Sequence, residues 1–218
     1  MIEVYYSKVD FENMENQIAD INCKYNIESL VTISSKASKD RLRSMVGYAI
    51  LFSVLQDKGV NNFIIKRDEN GKPYLVDSEY YFNISHSGEY VMCAVSDNCI
   101  GIDIEMIREK VDNDAIARRF FAENEYNEIS SATAKKKEIF TRIWSEKESY
   151  IKYLGLGMKK GMNTFYKDEG VNRMIDNNEV TKVICQSRKL ENYCYSVCYN
   201  ELESSGDKNI LLKFVECY

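Results

Sequence analysis

Segments with the residue spacing of strands and of helices follow one another along this chain, and no low-complexity stretch or Pro/Gly/Ser linker separates them. Apolar runs and apolar–polar alternation predict strands near residues 2–6, 63–67, 81–84, 90–96 and 100–104. Apolar residues at helical spacing predict long helices over residues 39–56 and 136–153, and shorter ones near 112–121 and 123–130. Four further strands are predicted near 164–167, 180–186, 193–199 and 210–216. The sequence therefore predicts the α+β class.

The two halves of the chain, which meet near Gly101, have comparable size and both combine strands with a long helix. This similarity suggests a pseudo-duplicated molecule with a cleft between its halves, and such clefts are favoured ligand sites. We predict two α+β subdomains, residues 1–101 and residues 102–218, with the functional site between them.

Composition excludes several classes of function. The formal net charge of −5 gives no general attraction to nucleic acid or to an anionic membrane, so a polyanion would have to be met by a local basic patch. No segment approaches the roughly 20 apolar residues that cross a bilayer, and the N-terminus does not read as a signal peptide. Seven cysteines, an odd number without C-x-x-C spacing, are typical of reduced thiols. We expect a soluble, cytoplasmic protein.

Two carboxylates lie on one face of a predicted strand. In residues 99–105 (CIGIDIE), alternation places Asp103 and Glu105 on the face opposite Ile102 and Ile104. A solvated acidic face is one interpretation. The other is a hard-cation site, because Mg²⁺ binds one or two carboxylates and completes its shell with water and phosphate oxygens.

A second acidic candidate lies on the long predicted helix, for which Gly155 is the expected C-terminal glycine. Glu148 and Lys152 are four residues apart and share one helix face. They form either an ordinary exposed ion pair or a functional pair, in which Glu148 binds the metal or accepts a proton and Lys152 faces a phosphate oxygen.

The only histidine of the chain, His86, lies between Ser85 and Ser87 at the end of a predicted strand. A single histidine excludes zinc sites built on several histidines. His86 is either a structural residue or, with the hydroxyls, a binding group for a nucleotide phosphate; a nucleophilic triad is the weaker functional alternative.

Basic residues cluster at the predicted start of the helix over residues 39–56. Lys36, Lys39, Arg41 and Arg43 oppose the helix dipole there unless an anion binds. Helix N-termini bind phosphates, and arginine can contact them in a bidentate manner. The alternative is a solvated charge cluster.

Four motifs in order resemble the 4′-phosphopantetheinyl transferases, specifically their long surfactin-type branch. They are Gly71-Lys72-Pro73, residues 82–88 (FNISHSG), residues 101–105 (GIDIE), and residues 144–157, in which Trp144, Lys147, Glu148, Lys152 and Gly155 carry the match. The resemblance covers roughly residues 36–160.

The resemblance implies a pseudo-twofold monomer of two α+β halves that binds coenzyme A and Mg²⁺ in the groove between them. It implies transfer of the 4′-phosphopantetheine group to a serine of an apo acyl carrier or peptidyl carrier protein, with release of 3′,5′-ADP. Nucleic acid and membranes are not expected partners. By position, the metal carboxylates are Asp103, Glu105 and Glu148, and Lys152 faces the diphosphate.

The resemblance also assigns the nucleotide end of coenzyme A. Arg43, Lys72, Ser85 and His86 match positions that hold the 3′-phosphoadenosine, with Lys36 and Lys39 as further contacts, and Glu125 has a minor supporting role. Two other functions stay open at this point. Asp-x-Glu with Glu-x-x-x-Lys also suits a metal-dependent nuclease or phosphohydrolase, and a non-catalytic relative could bind carrier proteins without modifying them.

Overall fold

The computed structural model describes residues 2–27, 30, 38–109, 113–201 and 210–215. Its helices are α1 (Met14–Tyr25), α2 (Ser38–Asp57), α3 (Asn113–Phe120), α4 (Glu123–Ser131) and α5 (Lys136–Leu154). Its strands are β1 (Ile2–Lys8), β2 (Ile65–Arg67), β3 (Pro73–Leu75), β4 (Tyr81–Ser87), β5 (Tyr90–Ser96), β6 (Ile100–Met106), β7 (Phe165–Asp168), β8 (Arg173–Asp176), β9 (Glu179–Leu190), β10 (Tyr193–Asn200) and β11 (Leu211–Phe214). The predicted α+β class is confirmed.

The strands of the described residues form two large sheets and one small one. The first sheet has the order β11-β1-β5-β4, the second β6-β10-β9-β8-β7, and β2 pairs with β3. Strand β11 runs parallel to β1, whereas the other pairs are antiparallel. Strands β4 and β6 are therefore edge strands of different sheets.

Alternating side chains on the strands create separate apolar layers. In β5, Val91, Cys93 and Val95 pack with α1 and α2, whereas Met92 and Ala94 pack against the second sheet. In β6, the isoleucines at positions 100, 102 and 104 join that layer between the sheets. The opposite face of β6 is thus left for α5.

None of the helices in the described ranges is both long and apolar enough to cross a membrane.

The long elements were predicted within a few residues, but α1, β3 and β8 were not. The buried residues of helix α1 are Gln17, Ile21 and Tyr25. Because one of these three residues is polar, the helix shows little apolar periodicity in the sequence. Strands β3 and β8 have three and four residues, too few to show a period. The predicted subdomain division stays a prediction: residue 101 lies inside β6, and β11 pairs with β1 of the first sheet.

Gly101 allows α5 to lie directly on β6. A Cβ atom at this position would be 2.1 Å from the carbonyl oxygen of Ser149 and 2.4 Å from the backbone nitrogen of Tyr153. Real Cβ atoms do not approach backbone atoms this closely, so only glycine permits the observed contact. Because Asp103 and Glu105 share the face of Gly101, they also point toward α5.

Replacing this glycine should push the helix away from the strand. We expect Gly101→Ala to lower the free energy of unfolding by about 3 kcal/mol, the upper range for overpacking a core. Thermal unfolding measures the loss. The control is Gly170→Ala, in an exposed turn, where the new Cβ would meet only the side chain of Asp168 at 3.2 Å. Equal melting temperatures for the two variants would contradict this interpretation.

Glu3 ties β11 and the end of α2 to the first strand. It is 6% exposed and accepts hydrogen bonds from Lys213, at 2.7 Å, and from Lys58. Burial raises the pKa of the Glu3 carboxyl, but the two lysines outweigh burial and hold this pKa at about 2, below its ordinary 4.5. Since the folded pKa is the lower one, Glu3 stabilises the fold above pH 4.5 and loses this contribution as the pH falls toward 2.

We expect Glu3→Gln to lower the free energy of unfolding at neutral pH by about 2 kcal/mol, the scale of hydrogen bonds to a charged group. The variant should also lose less stability than the wild type between pH 4.5 and 2. Urea unfolding at several pH values measures both effects. Glu69→Gln, in an exposed turn, is the control and should keep the wild-type free energy of unfolding at neutral pH. Parallel pH curves for Glu3→Gln and the wild type would refute the assignment.

Candidate active site

Strands β4 and β6 belong to different sheets, and they are joined by side chains of β4 that bind the backbone of β6. Asn83, Ser85 and Ser87 alternate along β4 and face β6. Their side-chain oxygens accept hydrogen bonds from the backbone N–H groups of Ile102 (2.8 Å), Ile104 (3.3 Å) and Met106 (3.1 Å), respectively. Backbone donors at a buried sheet edge need partners, and this side-chain ladder provides them. We call these three residues the β4 ladder.

The two serines of the β4 ladder also contact the carboxylates of β6. Ser85 Oγ donates to Asp103 Oδ1 at 2.8 Å, and Ser87 Oγ donates to Glu105 Oε2 at 2.9 Å. Asp103 is 3% exposed, so its ionised form would be costly without such partners. The ladder therefore joins the two sheets and at the same time holds the acidic pair.

Helix α5 brings Lys152 to the same carboxylate. Lys152 Nζ lies 2.6 Å from Asp103 Oδ1 and 2.8 Å from Ser85 Oγ. The sequence was compatible with an ordinary ion pair between Lys152 and Glu148 on the same helix. In the structure Lys152 instead pairs with Asp103, and this ion pair joins α5 to β6. One turn earlier on α5, half-buried Glu148 lines a cavity of about 310 Å³ together with Lys152 and Lys72.

The three predicted metal carboxylates influence one another electrostatically. Burial, followed by the charge of Asp103, raises the pKa values of both Glu105 and Glu148, and Glu105 contributes to the rise at Glu148. Burial also raises the pKa of Asp103 against the opposing effect of Lys152. Glu148 lies one turn before Lys152 on α5, and Lys152 contacts Asp103, so Glu148 is on the side of α5 that faces β6.

This donor set fits a hard divalent cation in its chemistry. Three carboxylates are the oxygen ligands that Mg²⁺ prefers, and Asp103 Oδ2 is a buried acceptor without a hydrogen-bond partner. The side chains as they stand do not yet enclose an ion: in the part of the chain that the structure describes, no group of three His, Cys, Asp or Glu side chains has metal-binding geometry. Lys152 is the cation in contact with Asp103.

Lys72 reaches the C-terminal end of α5. Its Nζ donates to the carbonyl oxygens of Tyr153 (3.1 Å) and Ile100 (3.4 Å), and burial lowers its pKa. The helix ends at Leu154, and the next residue, Gly155, adopts a left-handed conformation with φ 70°. Lys72 therefore satisfies a terminal carbonyl of the helix that carries Glu148 and Lys152.

The remaining predicted binding residues lie around His86 and the start of α2. His86 is half-buried, and its pKa is lowered by burial, then by the charges of Arg43 and Lys152. Arg43 donates from Nε to the carbonyl oxygen of Gly88 at 2.8 Å and contacts Asp40 at 2.6 Å. Both Arg43 and Lys39 lie over the Phe11 ring, 4.9 Å from its centre. Lys36 lies outside the described residues.

A buried ion pair beside the site was missed by sequence reasoning. Lys147 is fully buried and lies 2.7 Å from Glu125 Oε2, which also accepts from the backbone N–H of Ala122. Lys147 further donates to the carbonyl oxygens of Met162 and Phe165, both at 2.6 Å. Glu125 had been given only a minor role. Its pairing with Lys147 could not be anticipated because the two residues belong to different helices.

The roles of Asn83 and Ser87 were also missed, although a signal existed. Small polar residues at every second position of the strand, N-x-S-x-S over residues 83–87, indicate a polar face. The signal does not say what that face meets. Ser85, assigned to the nucleotide end by resemblance, contacts Asp103 and Lys152 in this structure.

Family models match two adjoining parts of the chain. A model of the N-terminal region of 4′-phosphopantetheinyl transferases matches residues 20–98, and a model of the 4′-phosphopantetheinyl transferase superfamily matches residues 99–198. All the described residues of the candidate site lie within these two ranges.

Individual relatives give the same result. A 4′-phosphopantetheinyl transferase of Aneurinibacillus migulanus is 40% identical over 158 residues, which is 70% of this chain and 62% of that protein, so less than two thirds of its length is matched. Relatives of the same description from Bacillus pumilus and from Nostoc are each 34% identical, over 67% and 72% of this chain and 68% and 71% of their own lengths. The chain therefore belongs to the 4′-phosphopantetheinyl transferase superfamily.

Proposed function

We propose that this protein transfers the 4′-phosphopantetheine group of coenzyme A to a serine of an apo acyl carrier or peptidyl carrier protein, in a Mg²⁺-dependent reaction. The observation that carries the proposal is the 2.6 Å contact of Lys152 on α5 with Asp103 on β6, in a chain that matches this family over residues 20–198. Glu148 is one helical turn from Lys152, and Glu105 shares the strand face of Asp103.

In the proposed reaction, the serine oxygen of the carrier forms a bond to the β-phosphorus of coenzyme A, and the bond from that phosphorus to the bridging oxygen breaks. 3′,5′-ADP leaves and the serine proton passes to a base. Negative charge develops on the diphosphate oxygens, so fixed positive charge at this point lowers the barrier.

Asp103, Glu105 and Glu148 would hold Mg²⁺. When bound, Mg²⁺ supplies Lewis-acid charge for the diphosphate oxygens. Lys152 adds a fixed positive charge, since its ammonium is already anchored on Asp103 at 2.6 Å. Glu148 is the candidate proton acceptor as well as a metal ligand, because burial and Asp103 raise its pKa and make its carboxylate more basic than an exposed one.

For the nucleotide end of coenzyme A, we propose Arg43, His86, Lys39 and Lys72, with Ser85 close to the diphosphate. Support comes from Arg43 and Lys152, because their charges, after burial, lower the pKa of His86 and two cations therefore act on this residue. The contribution of Lys36 stays a prediction.

The carrier protein would dock on the residues 102–218 half. A cavity of about 180 Å³ lies beside Glu105 and is lined by Met106, Ile116, Phe140 and Trp144, with Arg108 at the same cavity. An apolar surface with an arginine suits the acidic helices with an apolar stripe that are typical of carriers.

We also propose a pseudo-twofold arrangement of two halves. It is supported by the order of the layers, in which α1 and α2 pack on the first sheet, the two sheets pack on each other, and α5 packs on the second sheet. We expect the protein to be a monomer.

Incubation with coenzyme A, Mg²⁺ and a panel of apo carrier proteins tests the function. We expect at least one carrier to gain about 340 Da, the mass of the phosphopantetheine group, by mass spectrometry. Chelation of the divalent cation should abolish the gain. Carriers that bind without any gain in mass would favour a non-catalytic relative, and cleavage of a DNA substrate would favour a nuclease.

The carboxylates should be essential for turnover, and amides of the same shape should preserve the fold. We expect Asp103→Asn and Glu148→Gln to lower the transfer rate by ~10²-fold or more, the scale of losing a key electrostatic group. Circular dichroism should show native secondary structure. Glu179→Gln, an exposed carboxylate on β9, is the control and should keep wild-type activity. Near-normal transfer by either site variant would remove the basis for the proposed mechanism.

A further inference from the structure

The proposed chemistry gives no role to Asn83 or Ser87 of the β4 ladder, and of these two Ser87 is the one that contacts a predicted metal carboxylate. It is 6% exposed, and its hydroxyl lies between the backbone N–H of Met106 (3.1 Å) and Oε2 of Glu105 (2.9 Å). A backbone N–H can only donate, so Ser87 Oγ accepts from Met106. Its single proton is then available for Glu105. The backbone N–H of Met106 thus orients the hydroxyl of Ser87, and this hydroxyl in turn orients the carboxylate of Glu105.

Glu105 depends on such a contact more than Asp103 does. Asp103 is almost fully buried and is held by two side chains, Ser85 and Lys152. Glu105 is only half-buried and has one more rotatable bond, so more conformations are open to it. Ser87 is the hydrogen-bond donor that the structure places on it.

The turn that follows Ser87 is itself held by α2 and by the second sheet. The carbonyl oxygen of Gly88 accepts from Arg43 Nε at 2.8 Å. On the opposite side, a Cβ at Gly88 would be only 2.2 Å from Tyr193 Oη, and the backbone N–H of Glu89 donates to the same phenol at 3.3 Å. Ser87 therefore has a rigid backbone from which to orient Glu105.

From this geometry we infer that Ser87 is a positioning residue: it holds Oε2 of Glu105 so that the carboxylate is oriented in advance for a divalent cation bound with Asp103 and Glu148. The inference rests on the proposed function, since it assumes that these carboxylates bind a cation. Partners that orient metal ligands typically contribute 10–100-fold to metal affinity.

The test measures Mn²⁺ binding to the full chain in the presence of coenzyme A, by titration calorimetry or by the loss of the free Mn²⁺ electron paramagnetic resonance signal. We expect Ser87→Ala to raise the Kd for Mn²⁺ by about 10–100-fold. Ser87→Thr, which keeps the hydroxyl, should stay within about threefold of the wild type. In transfer assays, Ser87→Ala should need correspondingly more Mg²⁺ for half-maximal rate, with kcat at saturating Mg²⁺ much less affected.

Ser96→Ala is the matched control. Ser96 is also buried, accepts from a backbone N–H (Asn98, 3.2 Å) and donates to a carboxylate (Asp97, 3.4 Å), but it lies at the end of β5 that pairs with Tyr81, away from Ser87. Its loss should change stability without changing the Kd for Mn²⁺. If Ser87→Ala does not fold, Ser87→Cys replaces it, because the thiol has similar shape but is a weak donor, and the same rise in Kd is expected.

The outcomes separate this inference from the function on which it rests. Absence of Mn²⁺ binding to the wild-type protein would contradict the proposed metal site itself. Wild-type binding with an unchanged Kd in Ser87→Ala would overturn the positioning role alone. An equal rise in Kd for Ser96→Ala would also overturn it, because the effect would then follow from general destabilisation.

Discussion

The burial of Asp103 between β6 and α5 is the interaction on which the site depends. A buried carboxylate costs several kcal/mol unless other groups compensate for its lost hydration. Here Ser85 donates to it from the first sheet and Lys152 approaches it from α5, both within 2.8 Å. One acidic side chain thereby holds three elements together: the edge strand β4, the edge strand β6 and the long helix. The contact of Gly101 with α5, two residues earlier on the same face, makes this approach possible.

The same arrangement concentrates negative charge. Burial first, and the charge of Asp103 second, raise the pKa values of Glu105 and Glu148, so like charge adds to the cost of ionising them in the fold. Lys152 relieves only part of this repulsion, and one oxygen of Asp103 has no hydrogen-bond partner. A divalent cation would relieve more of it, which gives an energetic reason for metal binding at this point. Repulsion retained in a folded protein is a cost that a ligand can offset.

Side chains of β4 connect the first sheet to the second, and the chain returns to the other edge of the first sheet as β11. Strand β11 crosses back to pair with β1, and Lys213 on β11 contacts Glu3. Chain order therefore does not separate the two sheets. Arg43 and Tyr193 both anchor the turn after Ser87, so residues near the proposed nucleotide site and residues of the second sheet meet directly behind the carboxylates.

The sequence by itself determined the long elements, the shared face of Asp103 and Glu105, and the helix face of Glu148 and Lys152, because each depends only on local periodicity. It could not determine which partners these side chains have. Lys152 was equally compatible with Glu148 one turn away, and only the packing of α5 on Gly101 directs it to Asp103. The β4 ladder, the return of β11 and the buried pair of Lys147 and Glu125 likewise join residues distant in sequence, and such contacts arise only when the sheets pack.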